Sequence, residues 1–117
     1  MSFFYYSLLT MLLLTGCMTN DFSVKNRPYA KVVETAPPIY PTQAEIDGIT
    51  GEVQLKFDVN PEGKAVNIAV TGSNPENIFD NSAKESLSKW VFLPKVENGI
   101  AVTSKENTIV LEFNLRN

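Results

Sequence analysis

Histidine is absent from this 117-residue sequence, and cysteine and tryptophan occur once each. Without histidine the chain can build neither a Ser-His-Asp nor a Cys-His catalytic set, nor the usual zinc ligand sets. A single cysteine closes no disulfide within the chain, so the fold must stand on packing alone. Ten basic and 13 acidic residues give a net charge of -3. They form no basic stripe, which argues against nucleic acid as a partner. The carboxylates Glu45, Asp47, Glu52, Asp58 and Glu62 fall in turns or at alternating positions where solvent is the expected neighbour. No nucleophile and base pair can be named. The expectation is a protein that is not an enzyme and that uses no cofactor or metal.

Long apolar runs are also missing. The mostly apolar stretch from Phe3 to Leu14 carries no charge, but it is shorter than the ~20 residues that cross a bilayer. Its length suits the core of a signal peptide. Directly behind it stand Leu14-Thr15-Gly16-Cys17, an arrangement that resembles the bacterial lipoprotein lipobox. That resemblance implies cleavage before Cys17 and lipidation of its thiol, with residues 1–16 as signal peptide. The alternative is an inert Cys17 in an uncleaved anchor. Residues 17–33 are polar and without sustained periodicity, which reads as a lipidated N-terminus and short tether. From Met18 to Val33 the reach is at most about 55 Å. Met18 is not the aspartate that retains many lipoproteins in the inner membrane, so the implied location is the outer membrane, facing the periplasm.

Residues 34–117 hold enough chain for one domain. Pro37-Pro38-Ile39-Tyr40-Pro41 enforces extended backbone. A short helix is expected from Thr42 to Asp47, with Thr42 and Glu45 spaced as a capping box and Gly48 ending it. Val53, Leu55, Phe57 and Val59 alternate with polar residues, as do Val66, Ile68 and Val70 beyond the turn Asn60-Pro61-Glu62-Gly63. Together they predict a hairpin. Phe79, Ala83, Leu87 and Trp90 share one helical face, with Asn77 as the expected cap. Trp90 is expected to be a main core anchor, at about 3–5 kcal/mol for Trp90→Ala. A last strand turns Ile109, Leu111, Phe113 and Leu115 inward and Val110, Glu112 and Asn114 outward. The sum is a two-layer α+β fold, a three-stranded antiparallel sheet with one or two helices packed on one face.

Pro38-Ile39-Tyr40-Pro41, Ala44, Gly48 to Val53, Phe79-Asp80, Ala83, Leu87 and Trp90 to Pro94 stand in an order that resembles the TonB C-terminal domain family, over about Ala36 to Leu115. The resemblance implies that the last strand lies at a sheet edge. There it would accept a short extended segment of an outer-membrane TonB-dependent transporter, or of another envelope protein, by strand addition. Thr108, Ile109, Val110, Leu111, Glu112, Phe113, Asn114 and Leu115 would form that edge, and Tyr40 and Pro41 map onto a Tyr-Pro step that contacts the transporter. Tyr40 and Pro41 serve equally well to fix how the chain enters the domain. A free edge also permits a homodimer through strand pairing. A lipid anchor in place of an inner-membrane helix implies a tethered binding module of a TonB-type transport system rather than a motor. Two alternatives stay open: a structural envelope lipoprotein that binds peptidoglycan or an assembly partner, and an atypical TonB energy transducer with an uncleaved leader.

Overall fold

A computed structural model describes residues 24–115. The expected signal peptide, Cys17 and the first part of the expected tether lie outside the described residues. In chain order the elements are β1 (Lys31–Glu34), α1 (Thr42–Ile46), β2 (Gly51–Val59), β3 (Ala65–Asn74), α2 (Asp80–Ser88), β4 (Val91–Leu93), β5 (Lys95–Glu97), β6 (Ile100–Val102) and β7 (Ser104–Phe113). The main sheet is antiparallel in the order β3-β2-β7, as expected for this α+β fold.

β2 is the central strand, paired with β3 on one side and β7 on the other. Its inward residues Val53, Leu55, Phe57 and Val59 are buried, while Glu52, Gln54 and Lys56 between them are exposed. Each such burial stabilises the fold by roughly 1.5–3 kcal/mol. The α2 helix lays Ala83 and Leu87 on this face, and Phe79, Phe92 and Phe113 complete the interior. The Phe79 and Phe113 rings stack with centroids 4.4 Å apart.

The β2–β3 turn forms as its residues dictate. The Gly63 amide donates to the Asn60 carbonyl at 2.9 Å, and the Asn60 side-chain oxygen accepts from the Glu62 and Lys64 amides at 3.0 and 2.9 Å. Gly63 has φ +82°, and a Cβ there would collide with the Phe92 carbonyl. The Phe92 amide donates to the Gly63 carbonyl at 2.9 Å, so the turn is docked on β4. Only glycine meets both demands.

Both expected helix caps are corrected. Pro41, not Thr42, precedes α1, and no side chain caps it. Proline at this position already fixes the entry angle, which leaves Thr42 inside the first turn. At the other end the Gly48 amide donates to Glu45 and the Ile49 amide to Ala44, a helix stop that tucks Ile49 against the core. Asn77 does not cap α2 either: it sits at φ +65° two residues before Phe79, the residue that precedes the helix.

Trp90 is also corrected. The α2 helix ends at Ser88, so the helical period does not carry Trp90 into the interior. The indole is half-buried at the rim, where its N–H donates to the Ala36 carbonyl at 3.2 Å. Ser86, itself buried, donates to the same carbonyl at 2.5 Å. Together they clamp the extended segment before Tyr40 across the helix.

Structure extends into the stretch expected to be tether. β1 pairs with β4, and Arg27 exchanges two backbone hydrogen bonds with Val96, each 2.9 Å. Arg27 also donates from its guanidinium to the Pro94 carbonyl at 2.7 Å, and Lys25 accepts from the Gly99 amide at 2.7 Å. Residues 25–27 therefore lie along the β5–β6 hairpin. That hairpin turns on Asn98-Gly99, both at positive φ (51° and 79°), as a tight hairpin turn requires.

Candidate functional site

β7 lies at the edge of the main sheet. It pairs with β2 on one side, and among the described residues no strand pairs with the other. From Gly51↔Phe113 to Phe57↔Asn107 the ladder runs in unbroken register. Seven such pairs, six steps along the strand, make a continuous edge about 20 Å long. Edge strands are commonly blunted by proline, bulges or charge. Here the strand contains no proline, and its one irregularity lies at the Ser104 end.

That end is fastened by Asp58. Its carboxylate accepts from the Asn67 side chain on β3 at 3.0 Å and from the Glu106 amide on β7 at 2.9 Å. Both partners have positive φ, where the two outer strands slip register against β2. The Asn67 bond most of all, then the Glu106 amide and the nearby Lys105 and Lys56 charges, hold the Asp58 pKa below the usual aspartate value. Asn107 reinforces the same end, donating to the Phe57 and Ser104 carbonyls at 3.2 and 3.0 Å.

The expected alternation along the strand is present. Ile109 and Leu111 are half-buried, and Thr108, Val110 and Glu112 are exposed. Phe113 is only 2 % exposed, so its side chain belongs to the core and only its main chain faces the edge. Asn114 and Leu115 fall past the end of β7, which instead begins four residues earlier than expected, at Ser104.

Tyr40 meets this strand at its Phe113 end. Its ring stands edge-on to Phe79 at 5.4 Å and to Phe113 at 5.9 Å. Its hydroxyl donates to the Ile49 carbonyl. Burial, helped by the Glu45 charge, raises the Tyr40 pKa, which favours the protonated phenol that makes this bond. Pro41 is the residue that leads into α1. The pair thus fixes the chain's entry and braces one end of the edge.

Next to that end lies a hollow of about 530 Å³, lined by Thr50, Gly51, Glu52, Asn74, Pro75, Glu112 and Asn114. The sequence alone did not single out Glu52 as part of a site. It is placed there by register, because Glu52 and Glu112 stand directly opposite each other on the outer face. Like charges in that position destabilise a sheet by a few tenths to about 1 kcal/mol. Neither carboxylate has an ion-pair partner among the described residues, and Lys56 on the same face is engaged with Glu106 at 3.4 Å.

Among the described residues no three His, Cys, Asp or Glu residues cluster closely enough to hold a metal ion. No helix among them is long and apolar enough to cross a membrane.

Residues 36–115 match the family described as Gram-negative bacterial TonB protein C-terminal. The chain is 31% identical to the TonB protein of Pseudomonas aeruginosa over 85 residues, which are 73% of this chain and 25% of that protein. It is 36% identical to TonB of Escherichia coli over 66 residues, 56% of this chain and 28% of that protein. The chain thus spans about a quarter of the length of these relatives. Among solved structures, it is similar to the TonB C-terminal domain of Pseudomonas aeruginosa at 30% identity and TM-score 0.65, covering 84% of this chain and 92% of that one. It is also similar to the TonB2 protein of Vibrio anguillarum at 31% identity and TM-score 0.57, covering 86% and 92%.

Proposed function

Because the chain belongs to the TonB C-terminal family, we propose that it is a membrane-tethered interaction module of a TonB-type transport system, one that binds an extended segment of an outer-membrane transporter by strand addition to β7. The observation that carries this reading is the edge from Asn107 to Phe113, in unbroken register with β2 and unpaired on its other side among the described residues. Unpaired N–H and C=O groups along such an edge supply main-chain hydrogen bonds to an incoming strand, and alternate side chains select it. Nothing in this reading requires catalysis. A second copy of the chain is the competing occupant of the same edge.

The anchor belongs to the same proposal. With Cys17 lipidated, Lys25 held against Gly99 would leave seven residues between the two, eight steps or at most about 29 Å of chain. The domain would then work close to its membrane, on the periplasmic side of the outer membrane. Intact-mass measurement of the membrane-extracted protein tests the anchor. A mass that starts at acylated Cys17 supports it, and a mass that starts at Met1 overturns it.

Strand addition is tested by titrating the isotope-labelled protein with synthetic peptides that copy the N-terminal segments of outer-membrane transporters. Amide shifts concentrated between Ser104 and Phe113 support the reading. Shifts confined to other elements, or none at millimolar peptide, overturn it.

A further inference from the structure

We infer that the strand accepted by β7 carries a basic side chain beside Glu112 on the outer face of the sheet, with an apolar residue two positions along beside Val110. This rests on the strand-addition reading and specifies which segment the edge takes.

Register decides the rows. Across the outer face run Asn74, Glu52 and Glu112, then Gly72, Gln54 and Val110, then Ala69, Lys56 and Thr108. A strand added beyond β7, in either direction, extends each row by one side chain. In the first row that side chain stands beside Glu112 and one strand farther from Glu52, two carboxylates that have no cation of their own among the described residues. The adjoining hollow, which Glu52 and Glu112 help to line, contains no lysine or arginine and has room for a long one. A lysine or arginine there relieves the repulsion between the two glutamates, whereas an acidic residue would make a third like charge. In the second row Val110 is 49 % exposed, an apolar side chain on a face otherwise polar at this end. An apolar neighbour from the added strand would cover it. On the inner face the half-buried Ile109 and Leu111 ask for apolar neighbours too.

The probes are three fluorescein-labelled nine-residue peptides of alternating serine and valine, with lysine, glutamine or glutamate replacing the central serine and valine replacing the serines two positions to either side of it. They are titrated into the full chain in detergent at low salt. The lysine peptide should bind about two- to fivefold tighter than the glutamine peptide, as expected for an exposed pair, and the glutamate peptide more weakly than both. Added salt should shrink these differences. The double variant Glu52→Gln/Glu112→Gln, whose side chains are exposed and outside the core, should bind all three alike. Equal binding to the unaltered protein, or a lysine preference that survives in the double variant, overturns the inference while strand addition stands. No binding of any peptide removes strand addition itself, and the inference with it.

Discussion

Ser86 and Trp90, substituted singly and together, measure how firmly the entry segment is tied to α2. Ser86 is 3 % exposed, and its hydroxyl reaches the Ala36 carbonyl at 2.5 Å while the indole N–H reaches the same oxygen at 3.2 Å. Ser86→Ala removes one donor and leaves the other, so the expected loss is about 0.5–1.5 kcal/mol. Trp90→Phe retains a ring near Phe92, whose centroid lies 6.2 Å from that of Trp90, and removes the second donor at a similar cost of about 1 kcal/mol. In the double variant the carbonyl has neither. A part-buried oxygen left without a partner costs about 1–3 kcal/mol, more than the long 3.3 Å bond from the indole N–H to the Ser86 hydroxyl that each single substitution also breaks, so the pair should lose more than the sum of the singles, by up to about 1 kcal/mol. Urea unfolding followed by far-ultraviolet circular dichroism reads this without relying on fluorescence, since Trp90 is the only tryptophan. Losses that add to within about 0.3 kcal/mol would refute the shared clamp. On the same grounds Trp90→Ala should cost less than the 3–5 kcal/mol typical of a buried indole, because this one is half-buried.

Asp58 should control the acid limb of stability. Its folded pKa is depressed, so its contribution is present above the unfolded value and disappears as pH falls through the folded one. Asp58→Asn should therefore flatten the dependence of melting temperature on pH below about 4; an unchanged acid limb would show that the clip across the three strands is unimportant. Glu112→Lys, which turns a like-charged cross-strand pair into an attractive one, should raise stability by about 0.2–1 kcal/mol in thermal unfolding, and a loss would contradict the assigned register. Gly63→Ala and Gly99→Ala both place a Cβ at positive φ, a strain of about 1–2 kcal/mol, but only at residue 63 does it meet backbone. Equal losses in chemical denaturation would mean that Phe92 yields freely to the new methyl.

The strands that alternate cleanly were legible from sequence alone. Val53, Leu55, Phe57 and Val59 face inward as expected, and β7 keeps its alternation from Thr108 to Phe113. What escaped has particular causes. Ser104 to Asn107 is a polar run with no period, and it joins β7 through hydrogen bonds to Asp58 and Phe57, which no local pattern announces. β1 is four exposed residues whose strand character comes from pairing with β4, so nothing in its own composition separates it from a tether. The β5–β6 hairpin did carry a readable signal, because Asn98-Gly99 flanked by Val96 and Ile100 marks a tight turn. The α2 start was misjudged because Asn77 has the chemistry of a cap but takes up a left-handed turn position, leaving Phe79 to lead into the helix. Glu52 enters the site only through register, a tertiary fact.

Hydrogen exchange along β7 tests the central claim most directly. Half of the main-chain amides on an edge strand point away from β2, and without an added strand they exchange with solvent. With a saturating transporter N-terminal peptide, the outward amides between Asn107 and Phe113 should slow, while those of β3, the other edge of the sheet, keep their rates. Slowing of β3 alone, or no change along β7 when the peptide is demonstrably bound, would contradict strand addition at this edge.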